Sequence, residues 1–358
     1  MRIILSGGGT GGHIYPAIAI AEALKKIDEK NEILFIGAKG KLEEKIVPEY
    51  GYEIKTISIS GFSRKNLLMN VSLPYKLLKS IYDCRKYILG FKPDIVVGTG
   101  GYVCFPVLKS AQRLKIKNII QEGNAFPGKT VKALSVKANK VIINFNDSEK
   151  YFVRKDNLVR ISHPIRMNLN LSSKSEALKS FGFDEKNKTI FIFGGSQGAR
   201  GINEVILNNL EKLTEFNLLW QTGKYDFQSI KEKVIGKSNI RIFDFIQDIA
   251  KCYSASDLVI SRSGVTTIME LAALRIPAIL VPYPFATENH QEFNARCLEI
   301  ENAGKMILQN ELKDKLIRTI QNIIYNNSEL EDMKRNLEKF SDRDAAVKIA
   351  NLIYETVN

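Results

Sequence analysis

The sequence predicts an α/β fold made of two Rossmann-like domains whose parallel sheets face a cleft. Short apolar runs of strand character alternate with helical stretches, as in doubly wound sheets. A strand that runs directly into a glycine-rich turn and then a helix occurs at residues 7–13, and the same arrangement recurs at 194–200. The 358 residues suffice for two domains of ordinary size, each with its own core.

Seven strands are predicted in the N-terminal half, each set off by glycine or proline and most separated by helical stretches. They are Arg2–Ser6, 32–37, 54–58, 94–98, 118–121, 141–144 and 158–161. A helix begins at about Ile14, with Pro16 near its first turn. Further glycine-rich or polar turns follow strands at 99–102 and 121–124.

The same succession of strand, glycine-rich turn and helix begins again after residue 163. Its predicted strands are Thr189–Phe193, 218–221, Ile240–Phe243, 257–261 and 278–281, and its helices include Lys174–Phe181, 248–255 and 266–274. We therefore expect an N-terminal domain at 1–163, a C-terminal domain at 164–340, and a terminal helix within 341–358 that packs back on the N-terminal domain.

Composition indicates a soluble globular protein with an uneven charge. Hydrophobic residues make up 44% of the chain and charged residues 25%, and no run approaches the ~18 apolar residues of a membrane span. The four cysteines are widely spaced, which argues against zinc and disulfide frameworks. Residues 1–163 hold 27 lysines and arginines against 14 acidic residues, and this half accounts for the whole net charge of +13. The excess predicts an anionic partner, either a membrane surface or a substrate.

Residues 62–89 interleave apolar side chains with six cations: Arg64, Lys65, Lys76, Lys79, Arg85 and Lys86. One interpretation is an ordinary amphipathic core helix, and the other is a basic, apolar-tipped surface that lies on anionic lipid. The sequence leaves both open.

His13 is the first candidate for chemistry. It follows five glycines where a strand passes into a helix, a position at which a bulky ring serves no packing purpose, and histidine can act as a general base near neutral pH. Gly7, Gly9 and Gly12 also satisfy GxGxxG, but the next strand ends without the acidic residue of a dinucleotide site. His163 is more simply structural.

Residues 257–291 predict a βαβ unit whose loop-to-helix junction lies at the carboxyl edge of the sheet, where open α/β sheets bind ligands. The first turn of that helix offers N–H groups to a diphosphate, and Glu270 could accept hydrogen bonds from a ribose. An exposed helix residue is an equally simple interpretation of Glu270. Ser196, Arg166 and the turn at 262–264 are expected to help stabilise a diphosphate leaving group.

No metal site and no cofactor is predicted. Asp342-Arg343-Asp344 spells the DxD of metal-dependent sugar transferases, but it opens the terminal helix, so helix N-capping explains it better.

The motifs taken together resemble the MurG family, the bacterial UDP-N-acetylglucosamine:lipid I N-acetylglucosaminyltransferases that make lipid II for peptidoglycan. They include SGGGTGGHIYPAIAIA, VVGTGGYVCFP, QEGNAFPG, HPIR, FGGSQGARGIN, FIQDIA and SRSGVTTIMELAALRIPAILVPYPFATENHQ. The resemblance implies the GT-B fold, an acceptor-binding and membrane-facing N-terminal domain, a UDP-sugar-binding C-terminal domain, and inversion at the anomeric carbon without a metal.

The resemblance places Thr10, Gly12 and His13 in the acceptor-side loop, with His13 as the base. It also implies UDP-N-acetylglucosamine contacts for Thr10, Gly11 and Gly12. The turn Gly100, Gly101 and Tyr102 is implied to lie on the acceptor side. Asn124 matches an asparagine that reaches the donor sugar. The segment 121–124 departs from the common HEQN, which puts any role of Gln121 or Gly123 in doubt.

On the donor side the resemblance implies nucleotide and phosphate contacts for Arg166 and Ser196, and a backbone contact of Ile246 with uracil. Glu270 matches the ribose-binding glutamate. The remaining implied contacts are Val265, Thr266 and Thr267 at the diphosphate, and His290 and Gln291 at the sugar. His290 falls where some members have glutamine, so Gln291 is the firmer assignment.

Three alternatives remain. A UDP-N-acetylglucosamine 2-epimerase or another UDP-sugar lipid glycosyltransferase would share the fold, GxGxxG alone suggests an NAD-dependent oxidoreductase, and charge alone suggests nucleic-acid binding. We expect UDP-N-acetylglucosamine, lipid I and the anionic inner membrane as partners, with no nucleic acid and with possible cell-wall or division proteins. The expected location is the cytoplasmic side of the cell membrane, as a peripheral protein in peptidoglycan synthesis, cell shape and division.

Overall fold

The computed structural model describes residues 1–61, 71–165, 169, 171–195, 198–340 and 342–358. The chain divides into two compact units. Unit 1 comprises Met1–Arg166 and Asp342–Asn358, and unit 2 comprises Met167–Ser341. The first division lies three residues beyond the boundary expected from the sequence.

Unit 1 contains a seven-stranded parallel sheet in the order β3-β2-β1-β4-β5-β6-β7. Its strands are β1 (Arg2–Ser6), β2 (Glu32–Ala38), β3 (Glu53–Ile57), β4 (Ile95–Gly98), β5 (Lys117–Glu122), β6 (Lys140–Ile143) and β7 (Leu158–Arg160). Its first five helices are α1 (Gly11–Ile27), α2 (Leu42–Glu49), α3 (Leu73–Phe91), α4 (Cys104–Arg113) and α5 (Lys129–Ser135).

Unit 2 contains a six-stranded parallel sheet in the order β10-β9-β8-β11-β12-β13. Its strands are β8 (Thr189–Phe193), β9 (Asn217–Gln221), β10 (Ile240–Phe243), β11 (Leu258–Ser261), β12 (Ala278–Leu280) and β13 (Lys305–Met306). Its helices are α6 (Lys174–Phe181), α7 (Arg200–Leu207), α8 (Lys224–Lys233), α9 (Ile249–Ala255), α10 (Val265–Leu274), α11 (His290–Ile300), α12 (Leu312–Ile324) and α13 (Asn327–Leu337). The predicted α/β class with two parallel sheets is confirmed.

Both faces of each sheet are covered by apolar side chains, because alternate residues of a strand point to opposite faces. In β1, Ile3 and Leu5 pack with α1, whereas Ile4 packs on the other face with α4. In unit 2, Ile192 belongs to the face that also contains Trp220, while Phe191 stacks on Phe193 with a centroid separation of 4.6 Å on the opposite face.

The last helix, α14 (Ala345–Val357), belongs to unit 1. Ile349 and Ile353 are buried in the same core as α1. Two hydrogen bonds also hold it: Asn31 Nδ2 donates to Tyr354 Oη at 2.8 Å, and Lys117 Nζ donates to the Val357 carbonyl at 2.6 Å.

The DxD motif lies in front of α14 with local partners. Asp344 occupies the N-cap position, but its side chain accepts no capping hydrogen bond, which corrects the expected capping. Asp342 instead accepts from the Asp344 N–H at 3.1 Å and pairs with Lys348 at 2.8 Å.

Candidate functional site

In unit 1 the strand order reverses direction between β1 and β4, and loops that leave such a switch point form a binding crevice. The two loops are joined here through Thr99. Its N–H donates to the Ser6 carbonyl at 2.8 Å, and its hydroxyl donates to the His13 carbonyl at 2.7 Å. These bonds hold the glycine-rich loop after β1 against the start of the loop after β4.

Glycine is required where these loops meet. A Cβ on Gly7 would lie 2.0 Å from Thr99 Oγ1. A Cβ on Gly101 would lie 2.3 Å from the Gly8 carbonyl oxygen, and Gly101 has a φ of 84°. Neither position leaves room for a side chain, so only glycine fits there.

His13 lies in the first turn of α1. The helix begins at Gly11, three residues before the predicted start. Because glycine has a low helix propensity, the sequence predicts a start after the glycines. The N–H groups of a first helical turn have no intrahelical acceptor, so glycine can occupy this turn. The His13 Nδ1 atom is 3.2 Å from the Thr99 carbonyl oxygen. Because a carbonyl can only accept, Nδ1 carries the proton and Nε2 is the basic nitrogen.

Glu43, at the start of α2, is a residue that the sequence analysis missed. Its side chain is fully buried and accepts from the Gly9 N–H at 3.1 Å and the Ala38 N–H at 2.9 Å. The carboxylate thereby ties the glycine loop to the end of β2. In the sequence, an acidic residue in a first helical turn has a sufficient explanation in the helix dipole, so nothing marked it out.

Glu122 organises the turn after β5. Its carboxylate accepts from the Asn124 N–H at 2.9 Å, from Asn124 Nδ2 at 3.0 Å and from the Gly128 N–H at 3.0 Å. These bonds fix the side-chain orientation of Asn124. Tyr102 lies against Gly9 in the neighbouring turn, and burial raises the pKa of its phenol.

Gln121 pairs with His163 in the interior of unit 1. The Gln121 amide nitrogen is 2.8 Å from His163 Nδ1. Because an amide nitrogen can only donate, His163 Nδ1 accepts the hydrogen bond and the ring is neutral. Burial, and secondarily the charge of nearby His13, lowers the pKa of His163 to about 3. The Gln121 side chain thus makes a contact inside unit 1, and His163 is 2% exposed, as expected of a structural histidine.

In unit 2 the equivalent reversal lies between β8 and β11. The turn after β11 leads into α10, whose N-cap is Gly264. Ser263 holds this turn against the start of α11, because its hydroxyl donates to the Gln291 carbonyl at 2.8 Å while its own carbonyl accepts from Asn294 Nδ2 at 3.3 Å. The N–H groups of Val265, Thr266 and Thr267 form the first turn of α10, and that end of a helix favours an anion.

Glu270 is 2% exposed, so the simple interpretation of an exposed helix residue is wrong. Its Oε2 accepts a hydrogen bond from the Tyr253 hydroxyl of α9 at 2.9 Å. The carboxyl group is therefore held at a fixed position behind the α10 N-terminus.

Arg262, in the turn that the sequence analysis expects to help stabilise a diphosphate, makes internal contacts with its guanidinium. Its guanidinium donates to the Val281 and Pro282 carbonyls at 3.2 and 3.0 Å and to Gln309 Oε1 at 2.7 Å. Burial lowers the pKa of Arg262 to about 10. The Arg262 side chain therefore holds the backbone at residues 281–282, directly after β12, in place.

His290 and Gln291 open helix α11, whereas the sequence placed His290 in a loop. His290 Nδ1 lies 2.7 Å from the Thr287 carbonyl and donates to it. Gln291 Oε1 accepts from the Tyr283 N–H at 2.9 Å, which orients its amide nitrogen away from that contact. The Ser263 bond brings Gln291 next to the α10 turn.

Ile246 lies in the loop after β10, and its N–H donates to Gln221 Oε1 at 2.9 Å. Of the predicted site residues, Val265, Thr266, Thr267, Glu270 and Gln291 lie around one helix end in unit 2. Thr10, Gly11, Gly12, His13, Gly100, Gly101 and Tyr102 lie at the switch point of unit 1. Arg166 and Ser196 lie outside the described residues.

Residues 1–61, 71–165, 169, 171–195, 198–340 and 342–358 were considered for a metal cluster and for a membrane-spanning helix, and neither is present in these ranges. They hold no cluster of three or more His, Cys, Asp or Glu side chains arranged to hold a metal. No helix in the same part of the chain has both the length and the apolar character needed to cross a bilayer.

Comparison with known proteins matches both halves of the chain. The glycosyltransferase family 28 N-terminal domain matches residues 3–143, and the C-terminal domain of the same family matches 189–349. A UDP-N-acetylglucosamine–N-acetylmuramyl-(pentapeptide) pyrophosphoryl-undecaprenol N-acetylglucosamine transferase of Ruminiclostridium cellulolyticum is 41% identical over 365 residues, which cover 100% of both chains. The protein of the same name from Phocaeicola vulgatus is 41% identical and covers 99% of this chain and 96% of its own. The crystal structure of Acinetobacter baumannii MurG superposes with a TM-score of 0.78 at 26% identity over 99% of each chain.

The neutral His163 ring predicts a specific loss of stability in acid. An unfolded histidine binds a proton near pH 6.5, whereas folded His163 resists protonation down to about 3. The free energy of unfolding should therefore fall as pH decreases through this window, by about 2 kcal/mol between pH 6.5 and 5. His163→Asn, which can keep an acceptor for Gln121, should remove that contribution in urea titrations at the two pH values. His290→Asn should retain it, and equal slopes for wild type and His163→Asn would contradict the assignment.

Proposed function

This chain belongs to glycosyltransferase family 28, among the MurG enzymes, and we propose that it transfers N-acetylglucosamine from UDP-N-acetylglucosamine to the C4 hydroxyl of lipid I, giving lipid II. The observation that carries the proposal is the similarity at 41% identity across both units from end to end. The chain is a glycosyltransferase of the GT-B class. The oxidoreductase and nucleic-acid alternatives have no comparable support.

The donor is assigned to unit 2. Uracil meets the backbone of Ile246, and the ribose hydroxyls donate to Glu270. The diphosphate lies at the N–H groups of Val265, Thr266 and Thr267, where the helix dipole favours negative charge. Ser196 contributes further phosphate contacts, and the sugar is contacted by His290 and Gln291. The nucleotide and sugar roles of Arg166 and Asn124, both of which belong to unit 1, stay predictions from the sequence.

The acceptor is assigned to unit 1, at the loops that contain Thr10, Gly11, Gly12, Gly100, Gly101 and Tyr102. His13 Nε2 takes the proton of the C4 hydroxyl while that oxygen forms a bond to the anomeric carbon. The bond from the anomeric carbon to the diphosphate breaks, its electron pair stays on the phosphate oxygen, and the configuration inverts. The Thr99 carbonyl holds the Nδ1 proton, so the imidazolium formed keeps its orientation.

Helix α3 supports a peripheral location on the cytoplasmic face of the membrane. Tyr75, Leu78 and Tyr82 share one face of the helix, and each is 69% exposed. The opposite face contains Cys84 and Ile88, which are buried in the unit 1 core. The core-helix interpretation therefore holds for one face of α3, and the exposed apolar face is the one that we propose lies on anionic lipid. Residues 62–70 lie outside the described residues.

Four cations flank the exposed apolar face of α3. Lys79, Arg85 and Lys86 are exposed, and Lys76 is half-buried. Each cation close to an anionic surface is worth up to about 1 kcal/mol. Charge and apolar contact together fit a lipid acceptor that remains in the bilayer.

The proposed reaction predicts UDP release that depends on both substrates. Purified protein should release UDP from UDP-N-acetylglucosamine when a lipid I analogue is present. His13→Ala should lower kcat by about 10²–10⁴-fold, because the general base is lost, and leave UDP affinity unchanged. Near-wild-type kcat at saturating acceptor would remove His13 from the reaction, and a large fall in its melting temperature would indicate a structural role instead.

The ribose assignment predicts a loss of donor affinity in Glu270→Gln. This substitution keeps an acceptor for Tyr253 but removes the charge, and hydrogen bonds to charged groups contribute about 1.5–3 kcal/mol. Calorimetry should show UDP binding weakened by that amount. The matched control is Tyr253→Phe, which removes the partner and keeps the carboxylate, and UDP binding should change little. A folded Glu270→Gln protein with wild-type UDP affinity would rule out the ribose contact.

The membrane assignment predicts binding to anionic vesicles that falls with salt but not to zero, since apolar contact is not screened. Reversal of Lys76, Lys79, Arg85 and Lys86 to Glu should abolish sedimentation with vesicles and spare UDP binding. The charge-matched control reverses Lys212, Lys224, Lys231 and Lys233 of unit 2 and should sediment as wild type does. Equal loss in both variants would mean that total charge, and not α3, is responsible.

A further inference from the structure

A buried carboxylate lies next to the glycine-rich loop of unit 1. Glu43, in the first turn of α2, is 0% exposed. Its Oε2 atom accepts from the Gly9 N–H at 3.1 Å, and its Oε1 atom accepts from the Ala38 N–H at 2.9 Å. Burying a carboxylate is costly, so one that is spent on the N–H group of a loop indicates that the position of this loop matters.

The carboxylate fits closely between the loop and β2. A Cβ on Gly8 would lie 2.2 Å from Glu43 Oε1, and a Cβ on Gly37 would lie 2.6 Å from Glu43 Cγ. Both positions must therefore lack a side chain for the carboxylate to reach the two N–H groups. Because each carboxylate oxygen takes one N–H, a side chain with a single acceptor, or one that is a methylene shorter, cannot satisfy both.

The part of the loop that Glu43 holds lies against the turn on which the His13 ring packs. The Gly8 carbonyl oxygen abuts Gly101, where a Cβ would lie 2.3 Å from it. The His13 ring lies over the same turn, because a Cβ on Gly100 would be 2.4 Å from Nδ1 of that ring and a Cβ on Gly101 would be 3.3 Å from its Cδ2. The carboxylate, the loop, the turn and the imidazole are therefore packed in series.

We propose that Glu43 is a positioning residue for the transfer: by holding the Gly9 N–H, its carboxylate fixes the loop against the turn at 100–101 and thereby sets the position of the His13 imidazole. The inference rests on the proposed function, since it takes His13 to be the base. Because Glu43 is fully buried, it acts through His13 and not by contact with a substrate. Misplacement of a catalytic group by about 1 Å can cost about 100-fold in rate, so one bond in the supporting loop can matter to the reaction.

The first test is Glu43→Gln, which keeps the size of the side chain but turns an amide nitrogen toward one of the two N–H groups. The kcat at saturating lipid I analogue should fall about 10- to 100-fold, because the loop and the ring lose their fixed position. UDP affinity, measured by calorimetry, should not change, since the donor is assigned to unit 2. The matched control is Glu44→Gln, which removes the same charge from an exposed neighbour that accepts from the Gly40 N–H at 2.6 Å, and it should keep wild-type kcat.

A double-mutant cycle with His13→Ala separates positioning from a general loss of structure. If Glu43 acts through the imidazole, Glu43→Gln should change the residual rate of the His13→Ala protein by about 2-fold at most, because no base remains to be misplaced. A merely structural residue would lower the rate by the same factor in both backgrounds. The residual rate is measured as release of labelled UDP over hours.

Glu43→Asp separates position from charge. It keeps the carboxylate but shortens the side chain by one methylene, so the two N–H groups can no longer both be reached. Its kcat should also fall, whereas a residue that acts by charge alone could be replaced by Asp without loss. The same variant carries the test, including the cycle with His13→Ala, if Glu43→Gln does not fold.

Four results would overturn the inference and leave the proposed function intact. They are a folded Glu43→Gln protein with wild-type kcat, an equal loss in both backgrounds of the cycle, a Glu43→Asp protein with wild-type kcat, and a failure of both variants to fold, which would make the carboxylate a requirement of the fold alone. A wild-type protein that releases no UDP in the presence of the lipid I analogue would remove the proposed function itself, and the inference with it.

Discussion

The close approach of neighbouring loops at the carboxyl edge of each sheet is the constraint on which both candidate sites depend. Loops that leave neighbouring parallel strands in opposite directions leave open space between them, and a ligand can enter it only if the loops themselves occupy little volume. In unit 1 the loops after β1 and β4 meet at Gly7, Gly101 and Thr99 with no room for a Cβ on either glycine. In unit 2 the close approach is between the loops after β8 and β9, where a Cβ on Gly198, with its φ of 76°, would lie 2.2 Å from the Thr222 carbonyl oxygen. Bare backbone at these points is flexible, so another group must hold it in place.

The two units meet that requirement with different side chains from equivalent places. In unit 1 the carboxylate of Glu43, which follows β2, holds Gly9 and Ala38. In unit 2 the amide of Gln221, which ends β9, holds Gly195 and Ile246. The backbone partners determine which side chain fits. Two N–H groups are satisfied by a carboxylate, which only accepts, whereas one N–H and one carbonyl are satisfied by an amide, which both accepts and donates. Both side chains are buried, where an unpaired backbone group is most costly.

The repeating strand and helix pattern was predictable because it depends on apolar periodicity, which every residue of an element reports. All predicted strands form, and the two-residue β13 was missed because so short a segment has no period to detect. The glycine-rich turns and the position of His13 were also predictable, because each is a short sequence pattern between a predicted strand and a predicted helix. Glu43 and Gln221 were not, because each has a backbone partner that only the folded sheet brings near. Glu122 bonds within its own turn, to Asn124 and Gly128, and the sequence showed that turn only as a polar segment. Arg262 shows the converse: a cation beside a phosphate-type turn suggested a ligand contact, yet its partners are the carbonyls that follow β12.

The uneven charge fits the proposal that the nucleotide binds in unit 2 and the lipid-linked acceptor in unit 1. If the basic excess served the nucleotide, it would lie in the half that contains α10, but residues 164–358 contain equal numbers of basic and acidic residues. The α10 end can favour a diphosphate through N–H groups and the helix dipole, which add no net charge. The cations of residues 1–163 are then left for a larger anionic partner, and α3 presents several of them beside exposed apolar side chains. A soluble diphosphate sugar would gain nothing from exposed leucine and tyrosine, whereas a lipid-linked acceptor at an anionic surface would. The charge distribution therefore argues for the lipid side of the proposed reaction independently of the donor site.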